Sequence, residues 1–295
     1  MKKIISTLAL FILFFTAKAQ SLQPDGNKGL YFDGINDQVK CPIILLNAFT
    51  IEFWIKTTQT GQPTAGTEWF HGFGLVDADG STNDYGVSLA NGKIVAGIGD
   101  NVLPLDFSLT SSASVNDGAW HHVAVTRAGN AMQIYIDGVS SVLASAGGVT
   151  TALGVVPLTI GSLQNNSHYF NGQLDEVRIS SSVIYTTNFT PTASYSGGLL
   201  NYNFNEANGQ AVLNSGTFAA GNGILGTNST TESSDPLRAI RVRNTSVSGM
   251  GSLTQALTDA NANPDKNYID FSIFNAGGNA TSVYKIGRAS CRERV

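Results

Sequence analysis

The residues with the clearest chemical potential are two adjacent histidines in the stretch "WHHVAVTR", which begins at Trp120. An imidazole can bind a metal ion or act as a general base. On an extended strand, however, neighbouring side chains point to opposite faces, so His121 and His122 cannot both reach one metal ion. The chain also lacks the G-x-S-x-G motif that would supply a nucleophile. The pattern therefore favours a structural role for both histidines.

Paired carboxylates are the next candidates, because glycoside hydrolysis needs two of them flanking the bond that breaks. Glu52 is isolated in "TIEFWIK", whereas Asp175 and Glu176 are neighbours that point to opposite faces of a strand. The chain has no E-x-D-x-x-E arrangement. We therefore expect no enzymatic activity from these residues, and the activity of any C-terminal continuation stays open.

The carboxylates also suggest a site for a structural calcium ion. Calcium takes carboxylate and carbonyl oxygens from loops, and "FDGIND" offers Asp33, Asn36 and Asp37, while "GQLDEVR" offers Asp175. The alternative is that Asp33 and Asp37 only shape a turn, and that Asp175 pairs with Arg178 or a backbone amide. Both interpretations remain open from the sequence.

Several loops carry the residue types that bind sugars, namely aromatic rings that stack on a pyranose and polar groups that hold its hydroxyls. The candidate ligand-binding residues are Trp69, His71, Asn83, Asp84, Tyr85, Asn166, His168 and Tyr169. Their position in loops favours function, because loops carry variable binding residues on a rigid scaffold. The alternative for Trp69 and Tyr85 is packing against the edge of the core.

The elements that must position these residues are strands. From about residue 28 to 195 the chain alternates short β-rich runs with Gly, Asn, Asp and Ser clusters. The Asn91-Gly92 and Asp137-Gly138 pairs lie between apolar alternations, which is a strong hairpin signal. Many short antiparallel strands at this spacing predict an all-β sandwich or jelly roll.

The N-terminus and the charge balance predict an exported protein. Lys2 and Lys3 precede an apolar run, and Ala17-Lys18-Ala19 resembles a signal-peptide cleavage site, so residues 1–19 are predicted to be removed. Between residues 20 and 285 there are 11 basic and 20 acidic residues, a net charge of −9. This balance argues against nucleic acid as a partner. Cys41 is alone in this range, which excludes a disulfide framework, and no transmembrane segment is expected in the mature chain.

The character of the sequence changes after Pro236. The segment "TNSTTESSDP" before it reads as an exposed linker. Beyond it, "AIRVRNT" predicts a strand, "GSLTQALTDANANP" a short helix capped by Ser252, and "NYIDFSIF" another strand. These elements predict the beginning of a second unit.

Residues 28–195 resemble a bacterial laminin-G-like domain of the concanavalin A-like lectin/glucanase superfamily. The resemblance is carried, in the family's order, by "LYFDGINDQVKCP", "FTIEFWIKT", "DGAWHHVAVTRAGNAMQIYIDG", "LTIGS" and "FNGQLDEVRIS". It implies two facing antiparallel sheets and a ligand that is a glycan or an extracellular protein. It also implies that the first and last strands pair, which would bring Asp175 to Asp33, and several such domains hold a structural calcium ion.

Two further resemblances concern the C-terminal part. "VRNTSVSGMGSLTQALTDANANPDKNYIDFSI" is similar to the opening of large surface proteins that continue into right-handed β-helices, although Thr254 and Met250 depart from the usual pattern. The last ten residues, "IGRASCRERV", resemble a translated sequencing adapter. That resemblance implies that Cys291 is not a natural residue and that the natural protein continues beyond Lys285.

These observations predict an exported, non-enzymatic recognition module that binds carbohydrate or another surface ligand within a larger secreted or cell-surface adhesin. The alternatives are a targeting module of a polysaccharide-degrading enzyme whose catalytic β-helix follows, and a structural spacer without ligand. The oligomeric state stays open. The predicted divisions are a signal peptide (1–19), a jelly roll (20–195), a terminal strand segment with linker (196–236), the start of a β-helix (237–285) and an adapter-like tail (286–295).

Overall fold

The computed structural model describes residues 23–24, 26, 28–42, 47–79, 84–99, 107–129, 131–145, 158–263, 267–271 and 273. The predicted signal peptide, the adapter-like tail and the candidate residue Asn83 lie outside the described residues.

Strands dominate the described residues. In chain order they are β1 (Lys28–Asp33), β2 (Val39–Cys41), β3 (Phe49–Lys56), β4 (Phe73–Asp79), β5 (Asp84–Ala90), β6 (Lys93–Gly99), β7 (Phe107–Ser114), β8 (Trp120–Ala128), β9 (Ala131–Ile136), β10 (Val139–Ser145), β11 (Leu158–Ile160), β12 (Asn171–Ser180), β13 (Leu200–Tyr202), β14 (Ala211–Val212), β15 (Gly223–Leu225), β16 (Leu237–Val242) and β17 (Asn267–Phe271). A 3₁₀ turn, Trp69–His71, precedes β4, and helix α1 (Leu253–Ala262) precedes β17.

These strands form two sheets. The first has the order β10-β9-β8-β3-β12-β1-β16-β17, with β13 also paired to β12, and the second has the order β14-β15-β2-β11-β4-β5-β6-β7. All pairings are antiparallel except that between β16 and β17. The predicted all-β sandwich of the jelly-roll type is confirmed.

The core between the sheets follows from strand alternation. On β3, Phe49, Ile51 and Phe53 belong to the core and are at most 1 % exposed, and Tyr85 and Val87 of β5 meet them from the second sheet. Each such side chain contributes about 1.5–3 kcal/mol by leaving water. The same alternation leaves the outer face of each sheet to other side chains, among them Asp84, whereas the candidate residue Tyr85 lies in the core.

The two predicted hairpins are present. Asn91-Gly92 joins β5 to β6, and Asp137-Gly138 joins β9 to β10. All four residues have positive φ, between 52° and 77°. This geometry is that of a type I′ turn, whose twist matches the flanking strands and which favours Asn-Gly and Asp-Gly.

The segment 181–196 covers part of the outer face of the first sheet. Tyr185 and Phe189 stack with ring centroids 3.5 Å apart, and the Nε1 of Trp54 donates to the carbonyl of Thr192 at 3.2 Å. Glu52 and Trp54, which project from this face of β3, are therefore completely buried.

The residues after Pro236 extend the first sheet. β16 pairs with β1, and β17 lies parallel to β16 after the crossover helix α1, which Ser252 caps by accepting from the N–H of Gln255. The predicted order of strand, helix and strand is therefore present. Because β16 hydrogen-bonds directly to β1, the sheet continues across the boundary that the sequence suggests at residue 236.

Candidate ligand-binding surface

The imidazole of His121 binds side chains of the neighbouring turn and loop, so its role is structural. Its Nδ1 lies 2.8 Å from Asp137 and its Nε2 lies 3.1 Å from Asp117, and the second oxygen of Asp137 accepts from the N–H of His122 at 2.9 Å. Partial burial alone would lower the pKa of His121, but the two carboxylates outweigh burial and raise the pKa. The imidazole thus links β8 to the β9–β10 turn and to the loop before β8.

His122 lies on the opposite face, as strand alternation predicts. It is completely buried among the rings of Trp54, Phe189 and Tyr195, with centroid distances of 5.3–5.8 Å. Its Nε2 lies 3.5 Å from the carboxylate of Glu52. Both histidines therefore have structural surroundings, and neither meets the other.

Glu52 is held by an ionic network under the segment 181–196. It forms a salt bridge with Arg178 and accepts from the hydroxyl of Tyr185 at 2.7 Å. Burial by itself raises the pKa of Glu52. The hydrogen bond to His122 and the charge of Arg178 together lower the pKa by more than burial raises it, so the pKa lies below its usual value. Because the carboxylate is buried and paired, it cannot flank a substrate.

Trp69 belongs to the core and not to a sugar-binding face, which corrects the prediction from sequence. The indole is 3 % exposed and packs on Gly86 and Gly97, where a Cβ atom would overlap it. Tyr85, at 1 % exposed, packs against Phe49 between the sheets. Neither ring can stack on an external sugar, because both faces are already covered by protein.

The remaining loop candidates meet at one place, here called the loop surface and defined as residues 68–72 and 161–170. The imidazole of His168 bonds through Nδ1 to the carbonyl of Phe70 at 3.0 Å, and the carbonyl of His168 accepts from the N–H of Gly74 at 2.8 Å. The hydroxyl of Tyr169 donates to the carbonyl of Asn166 at 2.8 Å. The two loops therefore support each other.

The side chains of the loop surface are accessible to different degrees. Asn166 is exposed, and Phe70, His71, His168 and Tyr169 are half-buried. Partial burial raises the pKa of Tyr169, so its phenol is neutral near pH 7. The surface thus combines aromatic rings with an amide, the residue types that the sequence led us to expect.

Two residues of the loop surface have an unusual backbone. Asn166 has φ of 57° and His168 has φ of 53°, both in the left-handed region that L-residues other than glycine seldom occupy. Such conformations cost of order 1 kcal/mol or more and persist where the surroundings impose them, often at binding sites. The loop therefore holds its side chains in fixed directions.

The hydrogen bonds also assign the histidine tautomers. A carbonyl oxygen can only accept, so the Nδ1 of His168 must carry the proton, and its Nε2 is a hydrogen-bond acceptor in the neutral ring. His71 lies 2.7 Å through Nδ1 from the hydroxyl of Thr64 and 3.2 Å through Nε2 from the carboxylate of Glu68. Both ring nitrogens of His71 are therefore used by residues of its own loop. In His168 only Nδ1 is used by the contact with Phe70, and Nε2 is available to a ligand.

Asp84 lies beside the loop surface, on the outer face of the second sheet. It shares that face of β5 with Gly86, on which Trp69 packs. Sequence reasoning missed Asp77, which is paired opposite Gly86 on β4 and accepts from the N–H of Gln164 at 2.6 Å. Only the register of the β4–β5 pair reveals this neighbour.

The four predicted calcium ligands do not come together. β1 and β12 do pair, but Asp33 is opposite Asn171, whereas Asp175 is four residues further along β12 and bound to Arg241. At about 3.4 Å per residue the two carboxylates are roughly 14 Å apart along the strand. The calcium site is therefore not formed. Of the two alternatives for Asp175, the pairing with Arg178 is not formed, whereas the bond to a backbone amide is present: Asp175 accepts from the N–H of Glu176 at 2.8 Å.

Asp33 and Asp37 instead shape a turn, and the amide of Asn36 donates to the hydroxyl of Ser233 at 3.0 Å. Asp37 accepts from the N–H of Asp33 at 2.7 Å, and Asp33 accepts from the N–H of Ile35 at 2.9 Å. Burial, followed by the negative charges of Asp33 and Asp235, raises the pKa of Asp37 to about 7. The part of the chain that the structure describes holds no three acidic, His or Cys side chains placed to bind a metal ion. Calcium binding by the protein stays a prediction.

Comparison with known proteins identifies the family. Residues 33–187, more than half of the chain, match the laminin-G-type family model described as the concanavalin A-like lectin/glucanases superfamily. The chain belongs to this superfamily. The match spans β2 to β12 and includes both loops of the loop surface, so the resemblance seen in the sequence is confirmed for the jelly roll.

Several solved structures are similar to this chain at low sequence identity. A putative carbohydrate-binding protein from Bacteroides ovatus is 13 % identical, with a TM-score of 0.49 over 68 % of this chain and 58 % of that chain. A native heptameric SAP-like pentraxin from Limulus polyphemus is 14 % identical, with a TM-score of 0.42 over 54 % and 78 %. Mouse laminin α1 LG4-5 is 15 % identical, with a TM-score of 0.44 over 55 % and 44 %.

A search of curated protein sequences finds no match to the chain. Among the described residues, no helix has both the length and the apolar character needed to span a bilayer.

Proposed function

We propose that this superfamily member is an extracellular recognition module that binds carbohydrate, or another surface ligand, within a larger secreted or cell-surface adhesin. The observation that carries the proposal is the loop surface, where two residues with left-handed backbone hold accessible side chains in fixed directions. A surface organised before the ligand arrives loses less conformational entropy on binding.

The chemistry of the loop surface matches a sugar. The ring of Tyr169 or Phe70 can cover the apolar face of a pyranose, and the amide of Asn166 can donate to and accept from its hydroxyls. The Nε2 of His168 can accept a hydroxyl hydrogen, because its Nδ1 is occupied by the carbonyl of Phe70. Asp84, on the adjoining sheet face, adds a charged acceptor.

The extracellular setting is supported by independent features of the sequence. The first nineteen residues have the pattern of an export signal, and the rest of the chain up to Lys285 is acidic with a lone cysteine. Superfamily membership agrees with a recognition role, although a shared fold alone does not dictate function.

A glycan array tests the proposal directly. The chain from residue 20 is applied to the array beside the variants Tyr169→Ala and Tyr169→Phe. We expect the alanine variant to bind at least tenfold more weakly, about 1.4 kcal/mol, and the phenylalanine variant to keep most of the affinity because it keeps the ring.

Leu143→Ala is the matched control, because Leu143 is 62 % exposed on the edge strand β10, away from the loop surface. It should bind as the unmodified chain does. Absence of binding to every glycan and to extracellular matrix proteins would leave a spacer role and overturn the proposal.

A further inference from the structure

Asparagine is followed by glycine at four places in the chain, namely at Asn91, Asn171, Asn208 and Asn222. Such a pair can react without an enzyme, because a glycine has no Cβ to hinder attack by its backbone nitrogen on the preceding side-chain amide. The attack also needs a side chain that is free to turn towards that nitrogen and a peptide group that is free to move. The four pairs meet these conditions to different degrees in the fold.

Asn208 and Gly209 meet every condition. They are exposed in the loop 203–210, which joins β13 to β14. Among the described residues, neither the side chain of Asn208 nor the N–H of Gly209 has a hydrogen-bond partner. Apart from the chain neighbours, no atom lies within 4 Å of the place that a Cβ would take at Gly209. The pair therefore has both the freedom and the space to form a ring.

Asn91 is the counterpart that matches in sequence but differs in structure. Ala90-Asn91-Gly92 and Ala207-Asn208-Gly209 contain the same three residue types. The side-chain amide of Asn91, however, donates to the Oε1 of Gln62 at 2.8 Å. A Cβ at Gly92 would lie 2.4 Å from the amide oxygen of Asn116, so the space beside this pair is filled. The fold therefore hinders ring formation at Asn91.

The other two pairs are held by strands. Asn171 begins β12, and its side-chain amide donates to the carbonyl of Asp33 at 2.6 Å. The side-chain oxygen of Asn222 accepts from the N–H of Asn214 at 2.9 Å. The glycine after each asparagine is paired with a neighbouring strand, β1 in the first case and β14 in the second. Both peptide groups are therefore fixed in a ladder.

We propose that Asn208 is a site of spontaneous covalent modification, at which asparagine is converted to aspartate and isoaspartate. The backbone nitrogen of Gly209 attacks the Cγ of Asn208, and the side-chain nitrogen leaves with the displaced proton as ammonia. A cyclic imide results, and water opens it at either carbonyl. The net reaction consumes one water and releases one ammonia, and it needs no other reactant. It is independent of the function proposed above.

The modification acts on β16 through Arg238. The carbonyl of Gly209 accepts from the guanidinium of Arg238 at 3.0 Å, and Glu206 forms a salt bridge with the same group at 2.9 Å. Isoaspartate adds one methylene to the backbone immediately before Gly209 and places a new carboxylate near Glu206. Both changes weaken the contact between the loop 203–210 and β16, so the modified chain is less stable.

Incubation of the chain from residue 20 at pH 8, followed by peptide mapping, tests the site. We expect aspartate and isoaspartate to form at Asn208 at least tenfold faster than at Asn91. In concentrated guanidinium chloride the two rates should differ by less than about threefold, because the fold no longer protects Asn91. Similar rates in the folded protein, or a tenfold difference that persists in the denaturant, would overturn the inference.

Asn208→Gln tests the consequence for β16. Glutamine would have to form a larger ring and reacts far more slowly, and the exposed position should accept it without loss of folding. We expect the unmodified chain to unfold at a lower urea concentration after incubation than before, and the variant to unfold at the same concentration in both cases. An unchanged midpoint in a chain whose Asn208 has been converted would refute the effect on β16.

Discussion

At the scale of single residues, burial separates core aromatics from candidate ligand contacts, and the sequence could not make that separation. Trp69 and Tyr169 both lie in loop-like stretches rich in polar residues. Trp69 is buried because Gly86 and Gly97, on two neighbouring strands, leave room for its indole. That arrangement depends on the register of β5 against β6, which no local pattern encodes. The paired histidines were predictable because their separation follows from strand alternation alone.

Asp37 provides a prediction at this scale. Its pKa is raised from 3.8 to about 7, so the folded state favours the protonated carboxyl. The stability that this gives is fully present below about pH 4 and is lost as the pH rises towards 7. Between pH 4 and pH 7 the free energy of unfolding of the unmodified chain should fall by more than that of the Asp37→Asn variant. We expect the two decreases to differ by up to about 3 kcal/mol.

Urea unfolding at several pH values measures the effect. Asp33 and Asp235, which face Asp37, are unchanged in the variant. If the chain and the Asp37→Asn variant lose stability in parallel over this range, Asp37 is not the responsible group.

At the scale of elements, the hairpin turns could be predicted from the sequence more readily than the contacts between distant strands. The Asn-Gly and Asp-Gly pairs correctly indicated two hairpins, since both residue pairs adopt positive φ at low cost. The partner of Asp175 was not predictable, because it comes from β16, which lies beyond the linker. The loop surface was predicted in part: its residue types were evident, but the contact between its two loops depends on the whole sheet.

The β9–β10 turn carries a prediction through His121. Asp137 and Asp117 raise the pKa of His121 in spite of its burial. The contacts of His121 with these two carboxylates, here called the His121 clamp, therefore stabilise the fold below about pH 6.5 and weaken as the pH rises through the pKa of His121 in the folded state. The difference in unfolding free energy between the chain and His121→Gln should therefore shrink from pH 6 to pH 8, by about 1 kcal/mol, since Asp117 is largely exposed.

Hydrogen exchange at the β9–β10 turn checks that the effect is local. The amide of His122, which donates to Asp137, should exchange faster in His121→Gln at pH 6. An unchanged exchange rate there would contradict the clamp.

At the scale of the whole molecule, buried ion pairs join the C-terminal strands to the jelly roll. Arg241 of β16 binds Asp175 of β12, and Lys56 of β3 lies 2.9 Å from Asp270 of β17. Asp175, Arg241 and Asp270 are at most 2 % exposed. Removing one partner of a buried pair leaves the other charge without compensation, which costs about 3–5 kcal/mol.

Arg241→Leu tests this junction. Burial raises the pKa of Asp175 to about 6 even with Arg241 beside it, so protonation can relieve the lone carboxylate in acid. We expect the variant to lose more stability at pH 8 than at pH 5, and the double variant Asp175→Leu/Arg241→Leu to recover most of the loss. Equal losses at both pH values in urea unfolding would show that the ion pair does not join the two parts.

The position of β1 has a consequence for the order in which the protein folds. β1 is among the first strands to be synthesised, yet its two neighbours are β12, which begins at Asn171, and β16, which ends at Val242. Contacts so distant in sequence form slowly, because a long loop must close before they are made. The first sheet therefore cannot be completed on both sides of β1 until about two hundred further residues have been synthesised, and β1 lacks its partner β16 until then.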